Sequence, residues 1–284
     1  MAPLLATIQQ DRPGRGPILL FLSEPRNLGG EVTSRLTFIG HSTVLVEIDG
    51  VRVLTDPLLG HLAMAIRRHA PRADPATFTG LSAVFISHGH MDHLDLESLR
   101  SLPGEATFLV PVGLGSIVAK ATHGVVHEMR AGDRLQVGTL ALEAVHAEHG
   151  RRRSLFTSAE SLGVLITGSS SVYFAGDTGL FAGMSELAGR VDVALLPVGG
   201  WGPRLGSGHL DPIRAAEAAT RIRPRVAVPI HWGTLYPLGL RRVAGRRFEA
   251  PGEAFRKAVA SRGTGIDVRV LMPGQSMTLD GRGR

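Results

Sequence analysis

Residues 83–93 read Ala83-Val84-Phe85-Ile86-Ser87-His88-Gly89-His90-Met91-Asp92-His93. The apolar run Ala83 to Ile86 has the length and β-branched content of a buried strand. Directly after it, three imidazoles and one carboxylate fall within six positions. A strand that opens into a Gly-bearing loop presents His88 and His90 in one direction, while Asp92 and His93 turn toward a neighbouring position. Two adjacent cations suit that arrangement better than one. A surface loop with accidental histidines is the plain alternative, and an expression tag would be terminal and uninterrupted, so metal binding is the reading adopted. Imidazole and carboxylate ligands suit zinc, iron or manganese.

Around this motif the composition sets limits. A chain of 284 residues can bury a full core, and without a Pro/Gly/Ser linker it reads as one domain over 1–284, with 1–31 as an irregular N-terminal arm. Hydrophobic content of 43% against 20% charged is that of a soluble globular protein, so disorder is not the default reading. Cysteine is absent, which excludes disulfides, thiolate metal sites and thiol catalysis and fits a cytoplasmic protein. Any metal is therefore held by His, Asp and Glu. The net charge of +6 comes almost wholly from arginine, since Lys120 and Lys257 are the only lysines. There is no long basic run, and 5% aromatic content is thin for a base-stacking platform, so no nucleic-acid partner is expected. Pro17 to Leu22 is too short for a signal-peptide core or a membrane span. A soluble protein without a transmembrane segment is expected, with room for peripheral membrane contact.

Taken in order, Leu36 to Ile39, Thr43 to Ile48 and Val51 to Leu54 read as strands, the last two joined by an Asp49-Gly50 hairpin turn. His41 and Asp56 then fall at strand ends, as turn caps or as partners that orient a ligating imidazole. Leu58 to Thr79 reads as an irregular loop. Asp95 is the expected N-cap of a helix over 95–102, and Asp211-Pro212 opens another in cap-then-N1 order. A hairpin ends at His146, with His149 as a rival ligand three residues on. Arg151-Arg152-Arg153 come next and could clamp an anionic head group. The strand Val172 to Ala175 leads into Gly176-Asp177-Thr178-Gly179, where a carboxylate on a Gly-flanked turn can bridge two cations. Val191 to Pro197 is a buried strand, followed by a Gly-rich loop containing Trp201 and His209. Val226 to Ile230 is a strand ending at His231-Trp232-Gly233.

The strand-end residues in the order SHGHMDH, His146, GDTG and IHWGT resemble the metallo-β-lactamase superfamily of hydrolases. IGHSTVLVEIDG, LTDP, FISHGHMDHLD, FAGDTG, GHLDP and IHWGT are more closely similar to its N-acylphosphatidylethanolamine-hydrolysing phospholipase D branch, with the ascorbate-phosphate lactonases more distant. The resemblance implies an α/β (α+β) fold, a four-layer αββα sandwich with the metals at one edge. It implies two divalent cations, zinc with manganese or iron as alternatives. One would be held by His88, His90 and His146, the other by Asp92, His93 and His231, with Asp177 bridging; it favours His146 over His149. Asp92 would also orient a hydroxide shared by the two cations, and His209 would contact phosphate or assist the leaving group. The substrate implied is a small-molecule or lipid-derived phosphodiester. A lactone or other carboxylic ester is the alternative on the same site, and a metal-binding protein with vestigial activity is the alternative outside enzymes.

Overall fold

Buried residues alternate between two environments along almost every strand, and this alternation stacks the molecule into layers. The computed structural model describes residues 4–9, 18–22, 34–60, 62–63, 66–149, 159–200, 205–206, 208–237 and 250–279. In chain order the strands are β1 (Leu4–Gln9), β2 (Ile18–Leu22), β3 (Arg35–Gly40), β4 (Thr43–Ile48), β5 (Val51–Thr55), β6 (Leu62–Ala63), β7 (Ile66–Arg68), β8 (Ala83–Phe85), β9 (Thr107–Pro111), β10 (Val126–Met129), β11 (Arg134–Val137), β12 (Leu140–His146), β13 (Leu162–Thr167), β14 (Ser171–Phe174), β15 (Val193–Pro197), β16 (Val226–Ile230), β17 (Leu235–Pro237), β18 (Asp267–Val268) and β19 (Ser276–Thr278). The helices are α1 (Leu96–Ser101), α2 (Gly115–Val118), α3 (Pro212–Ile222) and α4 (Pro251–Ala260).

One sheet has nine strands in the order β18-β16-β15-β14-β13-β12-β11-β1-β2, and a second has seven in the order β10-β9-β8-β5-β4-β3-β19. Val44, Val46 and Ile48 of β4 and Phe85 of β8 meet Val164 and Ile166 of β13 and Phe174 of β14 in a shared core between the sheets. Phe85 and Phe174 touch edge to face across it, ring centroids 6.2 Å apart. The out-of-phase residues face outward: Leu45, Leu54 and Val84 pack under α1 and α2 with Leu99 and Val118. Tyr173, Ala194 and Ala227 pack under α3 and α4 with Ala215, Ala219 and Phe255. Both faces of the central strands β4, β8, β14, β15 and β16 are buried and apolar, so a slip of one residue would exchange two different cores, and their register is firmly set. The result is the expected α/β four-layer αββα sandwich.

The helix starts obey their sequence signals. Asp95 accepts hydrogen bonds from the Glu97 and Ser98 amides, and Asp211 from those of Ile213 and Arg214, ahead of Pro212.

Two expectations need correction. The N-terminal stretch is not wholly irregular: β1 and β2 form a hairpin, and β1 pairs with β11 through Ile8↔Leu135. The strand segments themselves, Leu4–Gln9 and Ile18–Leu22, contain no proline. The segment after Leu58 likewise carries β6 and β7, which form a small sheet with β17, and a 3₁₀ turn at Pro75–Phe78 capped by Asp74. Arg151, Arg152, Arg153 and Trp201 lie outside the described residues. Among the described residues no helix is long and apolar enough to cross a membrane.

Candidate metal centre

The polar residues that converge in this molecule leave the C-terminal ends of strands that all run the same way. β14 and β16 are parallel to β15, and β12 runs with them because it is antiparallel to β13, itself antiparallel to β14. In the other sheet β5, β8 and β9 are parallel, and β3 runs with them by the same double reversal. The loops after β3, β5, β8, β12, β14 and β16 therefore open on one edge of the sandwich. Parallel strands direct their following loops to one edge, where binding sites of α/β sheets lie.

Two groups of side chains meet there. In the first, His88, His90, His149 and Asp177 each place one ligand atom within 4.8 Å of the others. His90 Nδ1 lies 2.8 Å from His88 Nε2 and 3.1 Å from His149 Nε2. His149 donates Nδ1–H to the Gly208 carbonyl at 2.7 Å, which leaves its Nε2 as a lone pair. Ser87 donates Oγ–H to Asp56 Oδ2 at 2.6 Å, so His88 Nδ1–H donates to Ser87 Oγ at 2.9 Å and its Nε2 too is a lone pair. Such fixing of the ring by its other nitrogen is the usual support of a ligating imidazole.

The second group is His41, Asp92, His93 and His231, within the same 4.8 Å limit and buried. His93 donates Nδ1–H to Asp56 Oδ2 at 2.7 Å, and His231 donates Nδ1–H to the Gly199 carbonyl at 2.8 Å. Their two Nε2 atoms then face each other at 3.1 Å. Two lone pairs at that distance repel unless a cation or a shared proton lies between them. Asp177 touches both groups: Oδ2 is 3.4 Å from His93 Nε2 and Oδ1 is 3.2 Å from His231 Nε2. Asp177 Oδ1 is buried and accepts no hydrogen bond. A buried acceptor left without a donor is costly, and a cation removes that cost. The donor set is imidazole and carboxylate throughout, which fits a divalent metal such as zinc.

Burial and charge divide the groups. Burial, with neighbouring His93 adding to it, holds His88 well below the ordinary imidazole value; burial brings His90 down to about 4 and lowers His149. These three rings are neutral at pH 7, the form in which an imidazole can bind a cation. Burial works the same way on His93 and His231, but Asp177 outweighs it, and for His93 Asp92 and Asp56 add to the rise, so both rings are raised. Burial also pushes Asp92 and Asp177 upward, yet His93 beside Asp92, and His231 and His93 beside Asp177, hold both carboxylates well below the usual range. The second group is thus charge-paired, protons standing where a cation would otherwise balance the carboxylates.

The structure brings together His88, His90, Asp92, His93, Asp177, His209 and His231 as expected from the sequence, and it does not bring in His146. β12 runs through His146, which pairs with Leu162. Its side chain is 56% exposed, beside Glu148 and edge-on to Phe181. The chain turns only after the strand: Glu148 N–H donates to Thr178 Oγ1, and Gly179 N–H to the Glu148 carbonyl, at 2.9 and 2.6 Å. Those bonds tie the 147–149 loop to the Asp177 loop and swing His149, the rival candidate, into the place expected for His146. His209 Nε2 is 3.4 Å from Asp177 Oδ2, and its ring stands edge-on to His149. Asp56 serves as an orienting partner for both groups, holding His93 directly and His88 through Ser87. His41, placed by sequence at a turn, has its Nε2 2.9 Å from Asp92 Oδ2.

A layered sandwich with paired His/Asp groups at one edge defines a metallo-hydrolase architecture, and the comparisons agree. The beta-lactamase superfamily domain matches residues 51–232, a span from β5 to the residue after His231. A metal-dependent hydrolase of Methanopyrus kandleri is 35% identical over 254 residues, covering 85% of this chain and 98% of its own. N-acyl-phosphatidylethanolamine-hydrolyzing phospholipase D 1 of Caenorhabditis elegans is 30% identical over 230 residues, covering 72% of this chain and 64% of its own. Among solved structures, a metallo hydrolase from the archaeon Ignicoccus hospitalis superposes with a TM-score of 0.68 at 26% identity, covering 88% of this chain and all of that one. The chain belongs to the metallo-β-lactamase superfamily of metal-dependent hydrolases.

Proposed function

We propose that this chain is a dinuclear hydrolase of phosphodiesters of the N-acylphosphatidylethanolamine phospholipase D type. The observation that carries the two-metal part is Asp177, buried between two ligand groups with Oδ1 lacking a donor. His88, His90 and His149 would hold one cation, Asp92, His93 and His231 the other, with Asp177 between them. When bound, a pair of divalent cations, zinc foremost, supplies Lewis acidity toward a phosphoryl oxygen and lowers the pKa of water toward neutrality.

The chain's own residues supply the rest. Asp92, kept ionised by His93, is a proton acceptor at the site. His209 remains 28% exposed beside Asp177, so its imidazole is open to substrate and can bind a phosphate oxygen or pass a proton to the leaving alkoxide. Leu205, 37% exposed, lies against Gly200, whose Cβ position is 3.6 Å from the His231 ring. It is an exposed apolar side chain near the second group, in keeping with an acylated substrate. The activity named for the Caenorhabditis elegans relative supports the same substrate class.

The test is a metal count together with a substrate panel. Two zinc ions per chain and turnover of bis(p-nitrophenyl) phosphate or N-acylphosphatidylethanolamine are expected. Turnover of lactones without any diester would replace the phosphodiester reading with a carboxylic ester hydrolase. Metal-loaded protein that turns over neither class would favour a binding role.

A further inference from the structure

The turn Gly40-His41-Ser42 belongs to the seven-stranded sheet, yet it is fastened to the loop that carries His231 on the other sheet. His41 N–H donates to Thr234 Oγ1 at 2.8 Å, and His231 N–H donates to the His41 carbonyl at 2.7 Å. The space beside the turn is filled: a Cβ on Gly40 would lie 3.0 Å from Thr234 Oγ1 and 3.2 Å from Arg68. His41 and His231 both adopt left-handed backbone, φ +57° and +63°, a conformation that a non-glycine residue keeps only where its surroundings impose it. The imidazole of His41 is buried, its centroid 3.9 Å from that of His231. Its Nε2 meets Asp92 Oδ2 at 2.9 Å.

We infer that His41 is a positioning residue of the metal centre, which orients the Asp92 carboxylate through Nε2–H and sets the height of His231 through its backbone. The inference rests on the proposed role of Asp92 and His231 as ligands of one cation. With Oδ2 engaged by His41 at 2.9 Å, the Asp92 carboxylate is held in one orientation. One residue thereby ties a ligand from each sheet into a single geometry. Removing partners of this kind costs about 10–100-fold in metal affinity or activity.

The test uses the full chain with His41→Phe and His41→Gln, stripped of metal and titrated with zinc against a chromophoric chelator, with thermal unfolding and cobalt(II) absorption spectra in parallel. Phenylalanine keeps the bulk and removes the donor; glutamine restores an N–H at comparable reach. For His41→Phe the expected result is a loss of about 10–100-fold in affinity at one of two sites and an altered cobalt spectrum. His41→Gln is expected to stay within a few-fold of wild type with the wild-type spectrum. His41→Phe binding zinc as the wild type does overturns the inference, as does His41→Gln losing as much as a folded His41→Phe, which would make His41 a ligand. Should His41→Phe fail to fold, His41→Gln decides alone, a tenfold loss or more overturning the inference. Failure of the two-metal reading shows separately, as wild-type protein binding fewer than two zinc ions. The variants are then judged on the sites that remain, unchanged affinity in His41→Phe overturning the role of His41.

Discussion

Asp56→Asn is the substitution whose effect can be worked most directly from the geometry. Asp56 is fully buried at φ +35°, a backbone that asparagine tolerates, so the exchange changes chemistry and leaves the chain path. The carboxylate accepts three hydrogen bonds: Ser87 N–H at 2.7 Å, Ser87 Oγ–H at 2.6 Å and His93 Nδ1–H at 2.7 Å. An amide has one oxygen to offer. If it serves the Ser87 amide, its NH₂ points at the serine hydroxyl and at His93. The hydroxyl can rotate, but His93 must then accept at Nδ1 and carry its proton on Nε2, the atom that faces His231. The lone pair that His93 would offer a cation is then masked, and His88 loses its relay through Ser87. Hydrogen bonds to a charged group contribute about 1.5–3 kcal/mol each. Burial leaves Asp56 with a raised pKa, so removing the charge also relieves desolvation, and a net loss of about 2 kcal/mol is expected for metal-free protein. Zinc affinity should fall about 10–100-fold, or about 1.4–2.8 kcal/mol. Urea unfolding of stripped protein and chelator-competed zinc titration measure the two effects. An Asp56→Asn protein with wild-type midpoint and wild-type zinc affinity would refute the relay.

Other outcomes are expected from the same geometry. His149→Ala should lower the zinc count by about one per chain, while His146→Ala leaves it unchanged and shifts stability by no more than about 0.5 kcal/mol; the reverse would restore His146 as the ligand. Gly176→Ala adds a Cβ at φ +60° that would sit 2.8 Å from Ser87 Cβ and 3.0 Å from the Leu162 carbonyl, costing about 1–3 kcal/mol in unfolding free energy and displacing Asp177; an unchanged urea midpoint would show that the turn has slack. Metal-free protein should be most stable near pH 6.5. As pH falls from 6.5 toward 4 the unfolded chain takes up protons that His90 refuses until about 4 and His41 until about 3, so stability drops. As pH rises above 6.5 the stability that raised His93 and His231 contribute below that value is lost through their folded pKa values. Zinc, replacing the protons on those rings, should flatten the alkaline limb of a urea-midpoint profile, and a limb that zinc leaves unchanged would count against cation binding there.

Much of the candidate centre is legible in the sequence because residues at strand ends obey local rules. Ile86, Ala175 and Ile230 end continuous apolar runs that are visible in one dimension, and the polar residues after them fall at the edge. His146 misleads because a histidine directly after an apolar run reads as the presented one. The strand in fact includes His146, and the residue presented is fixed by hydrogen bonds to Thr178 and Gly208, far along the chain. His41 falls at a strand end without a firm role in the sequence because its carboxylate partner, Asp92, is 51 positions away. β1 escapes a local reading because its pairing partner β11 lies more than a hundred residues on, and pairing over that separation leaves no mark in local pattern.

The convergence of loops from both sheets also has a kinetic side. His88 to His93 belong to the seven-stranded sheet, whereas His149, Asp177 and His231 belong to the nine-stranded one. No partial structure made of one sheet alone assembles either proposed cation site in full, because Asp177 adds to both. Contacts this remote in sequence form late and slowly. High-affinity zinc uptake should therefore trail the docking of the sheets during refolding, and a chelator present during refolding should leave the early phases of collapse unaltered while abolishing only the last gain in stability.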